Sequence, residues 1–126
     1  MTQREIRIDI INLLYRHFVL NNSISQTKQE SFDFSQSVRT EEEINKVIQI
    51  LDHLEQIIAD INQNLKPGWV FERLSNYHKA VLVYSVYEIK ELHTSRAIVI
   101  NEALEIVKKY GEDEDYSYLN KVLDQV

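Results

Sequence analysis

Three observations predict an all-α fold. Apolar residues recur at three- and four-residue steps through most of the chain. Start and stop signals for helices bracket these runs. Two glycines and one proline leave too little turn chemistry for a many-stranded sheet. With 126 residues and 44% hydrophobic content, the chain has the size of one domain, residues 1–126, with a core of its own. The absence of cysteine removes disulfides, thiolate metal sites and a cysteine nucleophile together, and suits a reducing compartment. No basic and apolar leader is present, and no apolar run approaches the ~20 residues that cross a bilayer. The expectation is a soluble, cytoplasmic protein with no membrane partner.

A first helix is expected over about 3–20, with Ile6, Ile10, Leu13, Leu14 and His17 or Phe18 on one face and Arg4, Arg7 and Arg16 outside. From Asn21 to Arg39 no clean period holds. Ser, Gln and Asn dominate there and Ile24, Phe32 and Phe34 are isolated anchors, which predicts a long connection with room for one short helix. Thr40-Glu41-Glu42-Glu43 reads as a capping box, in which the Thr hydroxyl and the Glu43 carboxylate each meet a backbone donor. Its three acidic groups sit at the positive end of the helix dipole. The helix that follows is expected to run unbroken to about 65 along Ile44, Val47, Ile48, Leu51, Leu54, Ile58, Ile61 and Leu65, and to stop at Lys66-Pro67-Gly68.

Trp69 to Leu74 is expected to form a short helical turn that delivers Trp69 and Phe71 to the core. The next helix, Asn76 to Leu92, is expected to be central. Ala80 to Tyr84, Val86, Tyr87 and Ile89 leave almost no polar face, and a helix apolar all round has to be covered on every side. A buried strand competes because the run is rich in valine, but the run is too long for one strand. Ser75 or Asn76 caps its start, and Lys90 with His93-Thr94-Ser95 closes it. Thr94 or Ser95 opens a further helix in which Ile98, Ile100, Ala103, Leu104, Val107 and Tyr110 point mainly inward, with Gly111 at a left-handed closing position. The run Glu112-Asp113-Glu114-Asp115 lacks the alternating carboxylates, central glycine and terminal glutamate of a calcium loop. It reads as the acidic start of a last helix over about 115–125, lined by Tyr118, Leu119, Val122, Leu123 and Val126.

Catalytic chemistry finds little support. No two of His17, His53, His78 and His93 stand three or four residues apart, so no helical zinc pair forms, and each is expected at the surface or its boundary. No glycine loop cradles a phosphate and no serine elbow occurs. The expectation is no enzyme, no cofactor and no metal. Asn101, Glu102 and Asn120 read as polar groups satisfied at helix junctions. Tyr84, Tyr87 and Tyr110 fall on apolar stripes, where their hydroxyls need partners, whereas Tyr15 and Tyr118 are placed to stack on bases.

The segments ERLSNYHKAVLVYSVYEI, INEALEIVKKYG and LNKVLDQV resemble, in wording and spacing, the C-terminal two-thirds of the NusB family of bacterial transcription antitermination factors. Leu13-Leu14-Tyr15 is similar to the matching place in the family's first helix. The resemblance implies an all-α, NusB-like domain of two packed helical bundles that share a core. It also implies a non-enzymatic adaptor that binds boxA-type RNA together with a small-subunit ribosomal protein, Nus factor E, in the transcription complex. Carried over position by position, it implies RNA binding at Arg4, Arg7, Tyr15, Arg16 and Tyr118, and partner binding at His78, Lys79 and Glu114.

The chain also departs from the family. The N-terminal arginine cluster is thinned to Arg4 and Arg7 with Glu5 between them, His78 replaces the residue usual at its place, and Lys121 replaces a usual glycine. Residues up to 39 hold five basic and four acidic groups, those beyond hold nine and sixteen, and the net charge is −6. Such a surface offers few sites for neutralising phosphates, so firm RNA binding is expected to need a basic partner. The alternative reading is a NusB-fold protein-interaction module without boxA binding.

Overall fold

The valine-rich run forms a helix at the middle of the molecule. In the computed structural model, which describes residues 2–33, 40–111 and 116–126, the chain builds α1 (Gln3–Val19), α2 (Ile24–Glu30), α3 (Glu41–Asp52) and α4 (Leu54–Gln63). A 3-10 turn (Phe71–Arg73) leads into α5 (Asn76–Lys90), α6 (Arg96–Tyr110) and α7 (Tyr118–Gln125), and no strand occurs among the described residues. Every side chain of α5 from Ala80 to Glu88 is buried, and α1, α3, α4, α6 and α7 all pack on it. One apolar cluster draws on every helix except α2. The two buried phenols at the middle of α5 have partners: the Tyr84 hydroxyl donates to Glu88 Oε1 at 2.9 Å and the Tyr87 hydroxyl to Gln49 Oε1 at 2.5 Å. Burial pushes both phenols above their ordinary pKa.

Side-chain caps set the starts of α1, α2, α3 and α5, whereas α6 begins after Ser95 with no side-chain cap bond, contrary to expectation. Ser75 accepts from the His78 N–H at the head of α5. Thr2 with Glu5, and Ser23 with Gln26, form reciprocal capping boxes on α1 and α2. The box expected at Thr40 is only half made: the Thr40 hydroxyl accepts from the Glu43 N–H at 3.1 Å, but it donates to Glu43 Oε1 at 2.9 Å, so that carboxylate meets a hydroxyl and no backbone donor.

The expected 40–65 helix is broken at His53, whose φ of −112° and ψ of 11° end α3 and start α4. The His53 ring bonds back to the Gln49 carbonyl at 2.8 Å, a local alternative to continuing the helix. The inward stripe accordingly runs through Val47, Ile50, Leu51, Leu54, Ile57 and Ile61, while Ile44, Ile48, Ile58 and Leu65 are half-buried. On α6, Val99 and Ile106 are buried, and Ile98 and Tyr110 are turned out at 52% and 47% exposure. Gly111 is extended, with φ −80° and ψ 150°, not left-handed. Its role is close approach, since a Cβ there would lie 2.8 Å from the Val107 carbonyl oxygen. Left-handed residues follow other helices instead, Asn21 (φ 52°) beyond α1 and His93 (φ 55°) just beyond α5. The last helix starts at Tyr118. Phe34, the acidic run 112–115 and the Glu114 assignment within it lie outside the described residues.

Two of the four histidines are buried, against expectation: His17 and His78. His17 Nδ1 meets the Thr27 hydroxyl at 2.5 Å and so pins α2 to α1. Nearby, Arg16 Nε donates to Glu30 Oε2 at 2.9 Å and Asn22 donates to Glu30 Oε1 at 3.2 Å. Burial lowers the His17 pKa, and the charge of Glu30 opposes this only in part. An unfolded histidine takes its proton near pH ~6.5. The folded chain resists that proton, so stability is full above about pH 6.5 and declines as pH falls towards the folded value, by at most about 1.4 kcal/mol per pH unit. Denaturation on both sides of about pH 6.5 should show a smaller loss for His17→Asn than for the wild type. Equal losses would place the acid sensitivity elsewhere.

Candidate nucleic-acid and protein interface

The residues that the resemblance marks out fall in three places. At the head of α1, Arg7 is turned inward, its side chain only 11% exposed, where an outward position was expected. Its guanidinium donates to both oxygens of Glu88, at 2.8 and 3.1 Å, and to Glu102 Oε1 at 2.9 Å. Desolvation works against the charged Arg7, but the hydrogen bonds and charge of Glu88 outweigh it and raise its pKa. Arg4 pairs with the same Glu102. The hydrogen bond from Arg4 holds the Glu102 carboxyl below its usual range despite partial burial, with the charges of Arg4 and Arg7 assisting. Two guanidinium groups and two carboxylates thus close on each other, and Glu102 is satisfied at a helix junction as expected.

Further along α1, Tyr15 stands 41% exposed and edge-on to Tyr77, with ring centroids 5.6 Å apart. Eleven residues of helix put it ~16 Å from Arg4, so the two do not form one patch. Phe18 meets Phe71 edge-on at 5.6 Å, and Lys79 Nζ lies 5.7 and 5.8 Å from those two ring centroids. Burial pushes the Tyr77 phenol up to about 12. Exposed Val19 continues α1 beyond Tyr15. Arg16 is held by Glu30.

The third place is a cleft of about 350 Å³ between the end of α4 and α7, lined by Asn64, Lys66, Trp69, Tyr118, Lys121 and Gln125 among others. Pro67 and Gly68 make the turn that builds it. Gly68 carries φ +89°, and the Trp69 N–H donates to the Lys66 carbonyl at 3.0 Å. Proline at the first and glycine at the second central position is the type II pattern. It folds Lys66 onto Trp69, with Nζ 4.7 Å from the ring centroid. Trp69 is therefore half-buried at the surface and does not enter the core as expected. Tyr118 lies edge-on to Trp69 at 5.2 Å, and its hydroxyl is 2.8 Å from His78 Nδ1.

The structure brings Tyr118 and His78 together and sets Tyr15 and Lys79 against the neighbouring aromatic residues. It leaves Arg4 and Arg7 in their own network. From the sequence, Lys66, Trp69 and Lys121 carried no binding assignment, and Trp69 was expected in the core. The Lys66-Pro67-Gly68-Trp69 turn was the signal available for the first two, once the stop is taken as a type II turn. Among the described residues no helix is long and apolar enough to cross a membrane, and no group of three or more His, Cys, Asp or Glu is placed to hold a metal.

Among the described residues seven helices, five of them packed on a buried central one, with an aromatic cleft flanked by lysines, define the class as a small all-helical bundle protein. The chain belongs to the NusB family, whose model matches residues 1–126. It is similar to the transcription antitermination protein NusB of Campylobacter jejuni subsp. doylei, 32% identical over 126 residues that cover 98% of this chain and 93% of the relative. The protein of that name from Agathobacter rectalis is 31% identical over 128 residues, covering 98% and 97% of the two chains. The one from Nitratiruptor sp. is 30% identical over 127 residues, covering 99% and 91%.

Proposed function

We propose that this chain acts in transcription antitermination as a non-enzymatic adaptor, holding a boxA-type single-stranded RNA and a small-subunit ribosomal protein, Nus factor E, together. The observation that carries the reading is the cleft. Trp69 and Tyr118 offer ring faces for bases, and Lys66 and Lys121 offer charge for the phosphates beside them. The Tyr15 and Tyr77 face, with Lys79 nearby and Val19 exposed, suits a protein partner, because aromatic residues are enriched at the centres of such interfaces. A net charge of −6 favours a basic partner, which a ribosomal protein would be. This division keeps Tyr118 for RNA and moves Tyr15 to the protein side.

Arg4 and Arg7 are closed by Glu88 and Glu102, so the isolated chain should bind RNA weakly and with a shallow dependence on salt. Titrations with and without the ribosomal partner, at two salt concentrations, test the reading. Trp69→Ala should remove about 1 to 3 kcal/mol of binding. The double change Lys66→Ala with Lys121→Ala should flatten the salt slope of log K by roughly 1.4, about 0.7 for each lost contact. Adding the partner should tighten binding. Without saturable binding in either arrangement the adaptor reading fails. The closed arginines and the acidic surface would then favour a protein-interaction module that does not bind boxA RNA.

A further inference from the structure

We infer that His78 is a positioning residue, whose bond to the Tyr118 hydroxyl sets the aromatic wall of the cleft, Trp69 included, for a stacked base. The inference rests on the RNA reading of the cleft and assigns His78 a task other than touching a partner. His78 is buried in the first turn of α5, and the Ser75 cap bonds its backbone N–H, so its ring is carried by a fixed element. Tyr118 is placed quite differently. It opens a helix of eight residues that has no side-chain cap bond at its start, where helix ends fray.

The two are joined across 40 residues of chain by the 2.8 Å contact between His78 Nδ1 and the phenol oxygen. With the ring proton on Nε2, the phenol donates and Nδ1 accepts. The two rings also lie 5.5 Å apart, tilted by 51°. From Tyr118 the contacts continue to Trp69, edge-on at 66°, and from Trp69 to the Lys66 ammonium. A histidine held in the capped first turn of α5 thus aligns, through one hydroxyl, three side chains on two other elements, a helix end and a turn. On either side of His78, Tyr77 meets Tyr15 and Lys79 lies over Phe18 and Phe71. The same turn of α5 therefore supports both candidate surfaces.

A ring held in place before binding does not have to be ordered during binding, and one immobilised side chain is worth about two- to tenfold in affinity. Trp69 is the one tryptophan of the chain, so its fluorescence reports the cleft without background. The experiment compares the wild type, His78→Phe, Tyr118→Phe and the double variant, by Trp69 emission and by titration with a short single-stranded oligouridylate. Each single variant should change the emission and weaken binding about two- to tenfold, and the double variant should be no weaker than either single one, because both remove the same bond. His78→Gln, which can still accept from the phenol, should restore part of the affinity. Additive losses, or emission unchanged in both single variants, would overturn the inference. If His78→Phe does not fold, Tyr118→Phe, which removes one hydroxyl, still decides between these outcomes. A wild type that does not bind the oligonucleotide overturns the RNA reading, while the emission cycle still decides whether His78 positions Tyr118 and Trp69.

Discussion

Arg7→Ala is expected to destabilise the fold by about 3 kcal/mol, the low end of what breaking a buried ion pair costs. The substitution strands Glu88, whose side chain is 3% exposed, among apolar neighbours of α1, α5 and α6 without the two hydrogen bonds that Arg7 donates to it. The Tyr84 hydroxyl, which donates to the same carboxylate, is then its remaining partner within the network. Neutralising both ends, Arg7→Met with Glu88→Gln, should recover much of the loss, because the desolvation of two charges disappears together with their attraction. Arg4→Ala should leave stability near the wild-type value, since Arg4 is on the surface and Arg7 alone still serves Glu102. Urea denaturation of the three variants checks this order. A marginal effect of Arg7→Ala would mean that Arg7 is available to RNA after all.

Leu82→Ala is expected to cost about 4 kcal/mol, towards the upper end of the range for leucine truncation in cores. Leu82 is fully buried on a helix covered by five others, so the walls of the new cavity belong to several elements, some of which also pack on one another. Little collapse is available to fill it. For a chain of this length the melting temperature should fall on the order of 10 °C or more. A thermal melt at the wild-type temperature would mean that α5 does not carry the core.

How far the fold could be read depended on where the deciding contact lies along the chain. The burial of α5 was legible because a helix without a polar face has one solution, and the cap at Ser75 because its partner is three residues away. The boxes at Thr2 and Ser23 were equally local and equally readable, though they were not used. The break at His53 was not legible. Apolar spacing continues through it, and the interruption comes from backbone that a ring–carbonyl bond supports. Gly111 was expected to close its helix through its backbone freedom, and close packing against Val107 turned out to be the requirement.

The site was harder to read, for the same reason. Arg7 and Glu88 are 81 residues apart, so the period of α1 gave no hint that one of its arginines points inward. His78 and Tyr118 were both singled out, for different roles, and their mutual bond exists only once α7 is folded against α5. Trp69 was assigned to the core on hydrophobicity alone. The turn that holds it at the surface was written in Pro67 and Gly68, which were taken only as a stop.

The central position of α5 also bears on how the chain can fold while it is being made. Its neighbours α1, α3 and α4 are synthesised first, and Ile10, Leu13 and Leu14 of α1 have no lasting cover until α5 follows. Arg7 has to wait 81 residues for Glu88. The N-terminal helices therefore leave the ribosome as a half-core with its apolar side open, a species that chaperones engage and that aggregates when it lingers. Emergence of Ala80 to Glu88 closes that side, so a pause in translation shortly after Pro67 would prolong the exposed state, whereas one after α5 has emerged would not.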